Sequence, residues 1–211
     1  MSGKTLYVVT HTQSIHHVEG RVGGWYDTGL TQKGRNDAGL VAARLAPLID
    51  DGKAELFSSD LLRASQTADI IGERLGLQPV LMKDLREMSY GVAEGQPEAW
   101  MQGRQLPPPD DNRLDHRGGI DNGETRRELA HRVYRAMDEI LARPCTTQIV
   151  VTHGFALTFV VAHWIKMPIE AAGHIALRAV SGSITHLAQD AFWNNRAVIT
   201  LAGSAHLGQT P

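Results

Sequence analysis

A chain of 211 residues, with 42% hydrophobic and 21% charged side chains, is sized for one α/β domain carrying one inserted segment and can bury a substantial interior. Its formal net charge of -2 offers no broad basic surface, which argues against nucleic acid or an anionic membrane as partner but leaves room for a local basic pocket. Cys145 is the single cysteine, so no internal disulfide can form and a cytoplasmic setting is expected.

The N-terminus runs through Lys4 directly into a strand pattern, without the charged, apolar and cleavage-site regions of a signal peptide. No apolar run approaches the ~20 residues of a membrane helix. Thr5 to Thr10 (TLYVVT) is a short run rich in β-branched residues, the pattern of a strand covered on both faces, and it ends at His11. After a glycine-rich loop from Gly20 to Gly29, the spacing of Ala38, Val41, Ala42 and Leu45 predicts a helix with one buried face and Thr31 as its N-cap. Ala54 to Ser58 predicts a second strand, and about Asp60 to Leu75 a second helix. Pro79 to Met82 reads as a short strand leading to a loop at Arg86 to Gly95.

The segment from Pro97 to Asn122 is proline-rich and polar, and reads as an excursion over the site. The expected organisation is one domain over 1–211, with an inserted site-covering segment at about 96–123. Glu124 to Arg143 is helical in period through Leu129, Val133, Met137 and Ile140. Gln148 to Thr152 (QIVVT) then repeats the buried-strand pattern and again ends in histidine, His153. Phe155 to Ile165 reads as a buried helix. Ile175 to Ala179, Ser183 to Ala188 and Ala197 to Ala202 read as strands, the last two an antiparallel pair at one edge.

Alternating strands and helices predict an α/β three-layer sandwich, a mostly parallel sheet with helices on both faces, whose ligands bind beyond the carboxyl ends of the strands. Both Thr-His pairs stand at such ends. If the two strands are neighbours, both imidazoles reach one crevice. Two imidazoles, an arginine and a carboxylate suffice for phosphoryl transfer through a covalent intermediate: a nucleophile, donors for the equatorial oxygens and a proton source. The candidates are His11, Arg63, His153 and Glu87. Singly, each has a plain alternative, since polar residues at strand ends often just satisfy loop backbone. Metal is not expected: His16 and His17 are adjacent, which in a strand points them apart, and no Asp, Glu or Cys ligand spacing accompanies them. Trp25 and Trp100 read as packing residues near the site mouth.

With these residues located, the stretch H-T-Q-S-I-H-H-V-E-G-R-V-G-G-W-Y-D-T-G-L-T-Q-K-G from His11 resembles the opening of the histidine phosphatase superfamily, which includes cofactor-dependent phosphoglycerate mutases. The family pattern is R-H-G-x-T followed by G-R-x-x-G-W-x-D-x-P-L-T-x-x-G. The register holds through Gly20, Arg21, Gly24, Trp25, Asp27, Leu30, Thr31 and Gly34. Ser58 to Ala68 (SSDLLRASQTA), Leu85 to Gly95 (LREMSYGVAEG) and Val151 to Gly154 (VTHG) resemble the later signatures, in family order over nearly the whole chain. The resemblance implies a phosphoglycerate mutase-like fold, His11 as the phosphorylated nucleophile, Arg63 and His153 as holders of the phosphoryl oxygens, and Glu87 as general acid and then base. The chemistry agrees, since a neutral imidazole is a competent nucleophile, a protonated neighbour can neutralise charge, and burial that raises the carboxyl pKa would help it carry a proton.

The departures are specific. Thr10, His11 and Thr12 stand where the family has Arg-His-Gly, and His17 where it commonly has Asn. A threonine supplies neither the charge nor the fork of a guanidinium. Thr10, Thr12, His17 and Arg21 are therefore candidate substrate-binding residues, with Thr12 expected to narrow the pocket or place its hydroxyl on the phosphate. The expected activity is metal-independent and cofactor-free hydrolysis of a small phosphorylated metabolite through a phosphohistidine. Two alternatives stand: a phosphoglycerate mutase-like phosphomutase, and a non-catalytic phosphate-binding or regulatory homologue weakened by loss of the motif arginine. A homodimer is an open assembly state.

Overall fold

The computed structural model describes residues 3–49 and 53–208. Side chains of β1 (Thr5–Thr10) alternate between two cores: Leu6 and Val8 pack with Phe57 and Val150, while Tyr7 and Val9 pack with Leu56, Ile149 and Val151. A strand apolar on both faces is stable only inside a sheet covered on both sides. The remaining strands are β2 (Ala54–Ser58), β3 (Pro79–Leu81), β4 (Thr147–Thr152), β5 (Ile184–Gln189) and β6 (Arg196–Gly203). They form one six-stranded sheet in the order β3-β2-β4-β1-β5-β6. Strands β1 to β4 run parallel, and β5 and β6 add an antiparallel edge.

Two helix layers cover the sheet. On one face lie α5 (Arg126–Ala142) and α6 (Ala156–Trp164), burying Leu129, Val133, Met137, Leu157 and Val160. On the other lie α2 (Gln32–Leu45) and α3 (Leu62–Leu75), burying Val41, Leu45, Ala64, Ala68 and Ile71. Two short helices, α1 (Ile15–Val18) and α4 (Glu98–Gln102), sit in the loops at the carboxyl end of the sheet. The expected three-layer α/β architecture is the observed one.

The helix starts show how the loops are tied down. Thr31 caps α2 by accepting the Gly34 N–H at 3.0 Å, as its position predicts. A Cβ on Gly34 would overlap the Gln13 carbonyl, so glycine lets this helix press against the chain just past His11. A capping box between Thr125 and Glu128 starts α5. By contrast α3 begins at Leu62, not at Asp60, because its first N–H is taken by Asp27 Oδ1 at 2.7 Å from the glycine-rich loop. That cap comes from 35 residues upstream, beyond any local pattern.

One expected strand is absent. Residues 175–179 pair with no strand: β5 occupies the position beside β1, and the Leu177 N–H is satisfied by Thr158 Oγ1 at 3.0 Å. The segment instead carries Ala179 and Ser181 to the rim of the carboxyl-end cavity. Within 96–123, α4 is followed by turns, and Ile120 packs with Val22 and Ala93 in a small separate core. Gly91, at φ +50, brings the loop after Glu87 against residues 121–123, where a Cβ would overlap backbone.

Candidate active site

Parallel pairing of β1 with β4 sets Thr10 opposite Thr152, so the two following histidines emerge side by side at the carboxyl end of adjacent central strands. Their ring centroids are 5.0 Å apart, edge to face. The His11 Nδ1 lies 2.8 Å from the Thr12 carbonyl oxygen, which can only accept. Nδ1 therefore carries the proton and Nε2 the lone pair. Arg63 Nε donates toward that Nε2 at 3.3 Å, while its NH1 and NH2 donate to the carbonyls of Tyr26 (2.9 Å) and Gly24 (2.6 Å). The guanidinium is 1% exposed and thus locked in direction by three bonds.

Burial, then the guanidinium of Arg63, holds the His11 imidazole well below the usual range, so the ring is neutral at physiological pH. His153 is depressed for the same two reasons, and the protonated second imidazole expected from the chemistry is absent from this arrangement. Its Nε2 lies 2.8 Å from Ser59 Oγ, and its buried Nδ1 has no hydrogen-bond partner among the described residues. Ser59 Oγ also accepts the Leu61 N–H at 3.4 Å, and as a hydroxyl it can either donate to or accept from His153 Nε2.

Glu87 is held by backbone. Its Oε1 accepts the N–H groups of Met88 (2.9 Å) and Ala156 (3.1 Å), and Oε2 accepts that of Phe155 (3.0 Å). The expected apolar burial is replaced by three amide donors, two of them from the first turn of α6. Trp25 donates to the Glu87 carbonyl at 2.8 Å and so braces the loop, while neither Trp25 nor Trp100 lines the cavity.

These groups enclose a cavity of about 250 Å³ lined by Thr10, His11, His17, Arg21, Arg63 and Glu87. His153 lies fully buried beside His11 rather than on the wall. Arg21 is at the rim, half exposed, donating to the Gly95 carbonyl and paired with Glu19. Thr12 is not in the cavity. The chain leaves β1 toward α3, where the Thr12 hydroxyl meets Thr67 Oγ1 at 3.2 Å, and its methyl group faces Gly182. It neither narrows the pocket nor offers its hydroxyl to an anion.

His16 and His17 correct another expectation. They lie in the single turn of α1, not in a strand, and their ring centroids are 4.2 Å apart. Ser14 organises both: its N–H donates to His17 Nδ1 at 3.3 Å, and its hydroxyl lies 2.9 Å from His16 Nδ1. Because that N–H can only donate, neutral His17 carries its proton on Nε2. The ring stacks on His11 with centroids 5.5 Å apart and planes 13° from parallel. His16 is buried beneath it, its pKa lowered to about 3 by burial, His17 and Arg63. Sequence reasoning passed over Ser59, Tyr90 and Ser181 and weighed His16 only as a metal ligand; Ser14, three residues before His17 at a helix start, offered the signal that the pair shares a helical turn. Among the described residues no cluster of three or more His, Cys, Asp or Glu is arranged to hold a metal ion.

Together, the fold and this pocket define an α/β protein with a buried arginine beside a neutral histidine at the end of a central strand. The chain belongs to the histidine phosphatase superfamily (branch 1), whose profile matches residues 6–199. It is 31% identical to a protein of Erwinia tasmaniensis named "Probable phosphoglycerate mutase", over 97% of this chain and 95% of that protein. A protein of Yersinia pestis with the same name is 32% identical over 96% and 94%. Among solved structures, a mycobacterial glucosyl-3-phosphoglycerate phosphatase with inorganic phosphate superposes at a TM-score of 0.76, with 25% identity over 96% of this chain and 99% of that one. An Escherichia coli protein described as a putative alpha-ribazole-5'-P phosphatase shares the fold, at a TM-score of 0.74 and 21% identity over 96% and 97%.

Proposed function

We propose that the protein is a metal-independent phosphoric monoester hydrolase acting on a small phosphorylated metabolite by way of a phosphohistidine. The observation that carries this reading is the His11 tautomer: Nδ1–H bound to the Thr12 carbonyl leaves the Nε2 lone pair directed into a pocket beside the guanidinium of Arg63. Attack of Nε2 on phosphorus expels the alcohol, whose oxygen takes a proton from the Glu87 carboxyl. Water then attacks the phosphohistidine, passes a proton to Glu87 and frees His11. The fixed Arg63 Nε–H, released from His11 Nε2 when that nitrogen bonds phosphorus, donates to a phosphoryl oxygen beside it. His17 Nε2–H supplies a further donor from the cavity wall, while His153, buried directly beside His11, backs the site. The added anion raises the pKa of both rings, so they gain charge as the negative charge arrives.

His17 then takes part of the work of the arginine that Thr10 replaces. Phosphate release from a panel of esters, with His11→Ala as control, tests the reaction. Acid-quenched enzyme should lose a label that alkali-quenched enzyme keeps, and chelator should leave turnover unchanged; full inhibition by chelator, restored by metal, overturns the mechanism. The names of the curated relatives support a second reading, a phosphoglycerate-type mutase. Movement of phosphate between hydroxyls of added phosphoglycerate, without free phosphate, would establish it.

A further inference from the structure

A second cavity, of about 490 Å³, opens beside the histidine pocket and is roofed by residues 105–126. Tyr90 lines both spaces, and Phe155, whose N–H holds Glu87, forms part of the second. This volume lies within the ~300–1,000 Å³ of sites that enclose molecules of drug size. A three-carbon acid fills little of it. Its walls join apolar side chains, Tyr90, Leu106, Pro107, Ile120 and Phe155, to polar ones such as Ser89, Gln105 and His116.

Its charge is uneven. Arg113 Nε and Arg126 NH1 both donate to the Gly173 carbonyl, at 3.3 and 3.0 Å, so two guanidiniums converge on one oxygen. Arg126 also donates to the Ile175 carbonyl and lies 5.0 Å over the Phe155 ring, and all of these partners are neutral. The carboxylate nearest Arg113, Asp110, is 3.6 Å away and fully exposed. The other charges at this cavity are already matched: Arg117 pairs with Glu128, and Glu124 with Arg132, each at 2.7 Å. Burial and then repulsion from Arg113 lower the Arg126 pKa, the signature of a cation lacking an anion. Burial and then Glu87 raise the Tyr90 pKa, and Arg126 opposes that rise, so the phenol is within electrostatic reach of both.

We propose that this cavity is the leaving-group site, selecting phosphomonoesters whose alcohol joins an apolar body to a second anionic group bound by Arg113 and Arg126. The proposal rests on the phosphatase reading above and adds its substrate class. Carboxylate and phosphate share the required chemistry, since either accepts two forked guanidinium bonds.

The test compares kcat/KM on 1-naphthyl phosphate, a carboxynaphthyl phosphate and a naphthyl bisphosphate. At least one anionic ester should be favoured on the order of tenfold or more, and the better of the two identifies the anion. The preference should fall to near unity in Arg126→Gln and in Arg113→Gln, and survive in part in Arg126→Lys. Because Arg126 ties down the 173–175 loop, thermal midpoints accompany each variant, and Arg113→Gln carries the test if Arg126→Gln fails to fold. Binding of hydroxynaphthoate, followed by fluorescence, reads the cavity without turnover. Arginine-dependent binding with no hydrolysis of any ester would overturn the phosphatase reading and leave the cavity assignment standing. Hydrolysis without preference, and hydroxynaphthoate binding equal in wild type and both glutamine variants, would overturn the assignment itself.

Discussion

Arg63→Lys separates the charge of the buried guanidinium from its geometry. Lysine keeps a cation but cannot span His11, Gly24 and Tyr26 at once, because its three donors radiate from one nitrogen. The carbonyls of Gly24 and Tyr26 lose their partners; an unmade buried bond costs about 1–3 kcal/mol, so two cost about 2–6 kcal/mol of stability. Catalysis suffers separately. Loss of one preorganised donor to a transition-state oxygen lowers turnover by roughly 10²–10³, and the glycine-rich loop that carries Arg21 loses its anchor as well. The assay is kcat/KM on a simple aryl phosphate, measured well below the lowered thermal midpoint, together with the yield of phosphohistidine in a rapid acid or alkali quench. If Arg63→Lys stays folded and lies within tenfold of wild type, positive charge alone suffices and the argument from the fixed fork is wrong.

Three further outcomes follow from the same geometry. Ser59→Ala removes the one side-chain hydrogen bond of the His153 ring among the described residues; kcat should drop about tenfold or more for one lost bond of ~1.5 kcal/mol, Ser59→Thr should restore most of it, and nitrogen-15 NMR of the ring should show a changed tautomer ratio. His11, His16 and His153 all have folded pKa values below the unfolded 6.5, so the unfolded chain binds more protons in acid, and stability should be full above pH 6.5 and decline as pH falls toward 3. His16→Gln should remove one proton from that slope, about 1.4 kcal/mol per pH unit; an unchanged slope by denaturant titration would show His16 to titrate normally. Thr10→Arg should not raise kcat/KM on the preferred ester, because His17 and Arg63 already face Thr10 across the same small cavity; a large gain on every ester would show that the pocket is merely short of charge.

The layers and the two paired histidines were legible in the chain alone. TLYVVT and QIVVT are short, near-continuous apolar runs rich in β-branched residues, the pattern of strands covered on both sides, and each is followed by histidine, so a parallel α/β sheet with two imidazoles at its carboxyl edge could be read without coordinates. What the sequence left open were relations between segments far apart in the chain. The register of β1 against β4 set the ring spacing; the Thr12 carbonyl set the His11 tautomer; Asp27 moved the start of α3. Thr12 looked like a pocket residue because it follows His11, and Thr67 took it away; residues 175–179 had strand composition, but β5 took the place beside β1 and Thr158 took the Leu177 N–H. His16 and His17 seemed to diverge until one helical turn brought them together. The convergence of Arg113 and Arg126 on the Gly173 carbonyl joins residues 47 and 60 positions apart, which no local pattern encodes. Local propensity and periodicity are properties of neighbouring residues, whereas hydrogen-bond direction and charge compensation depend on which distant atoms the packed chain brings within about 3 Å.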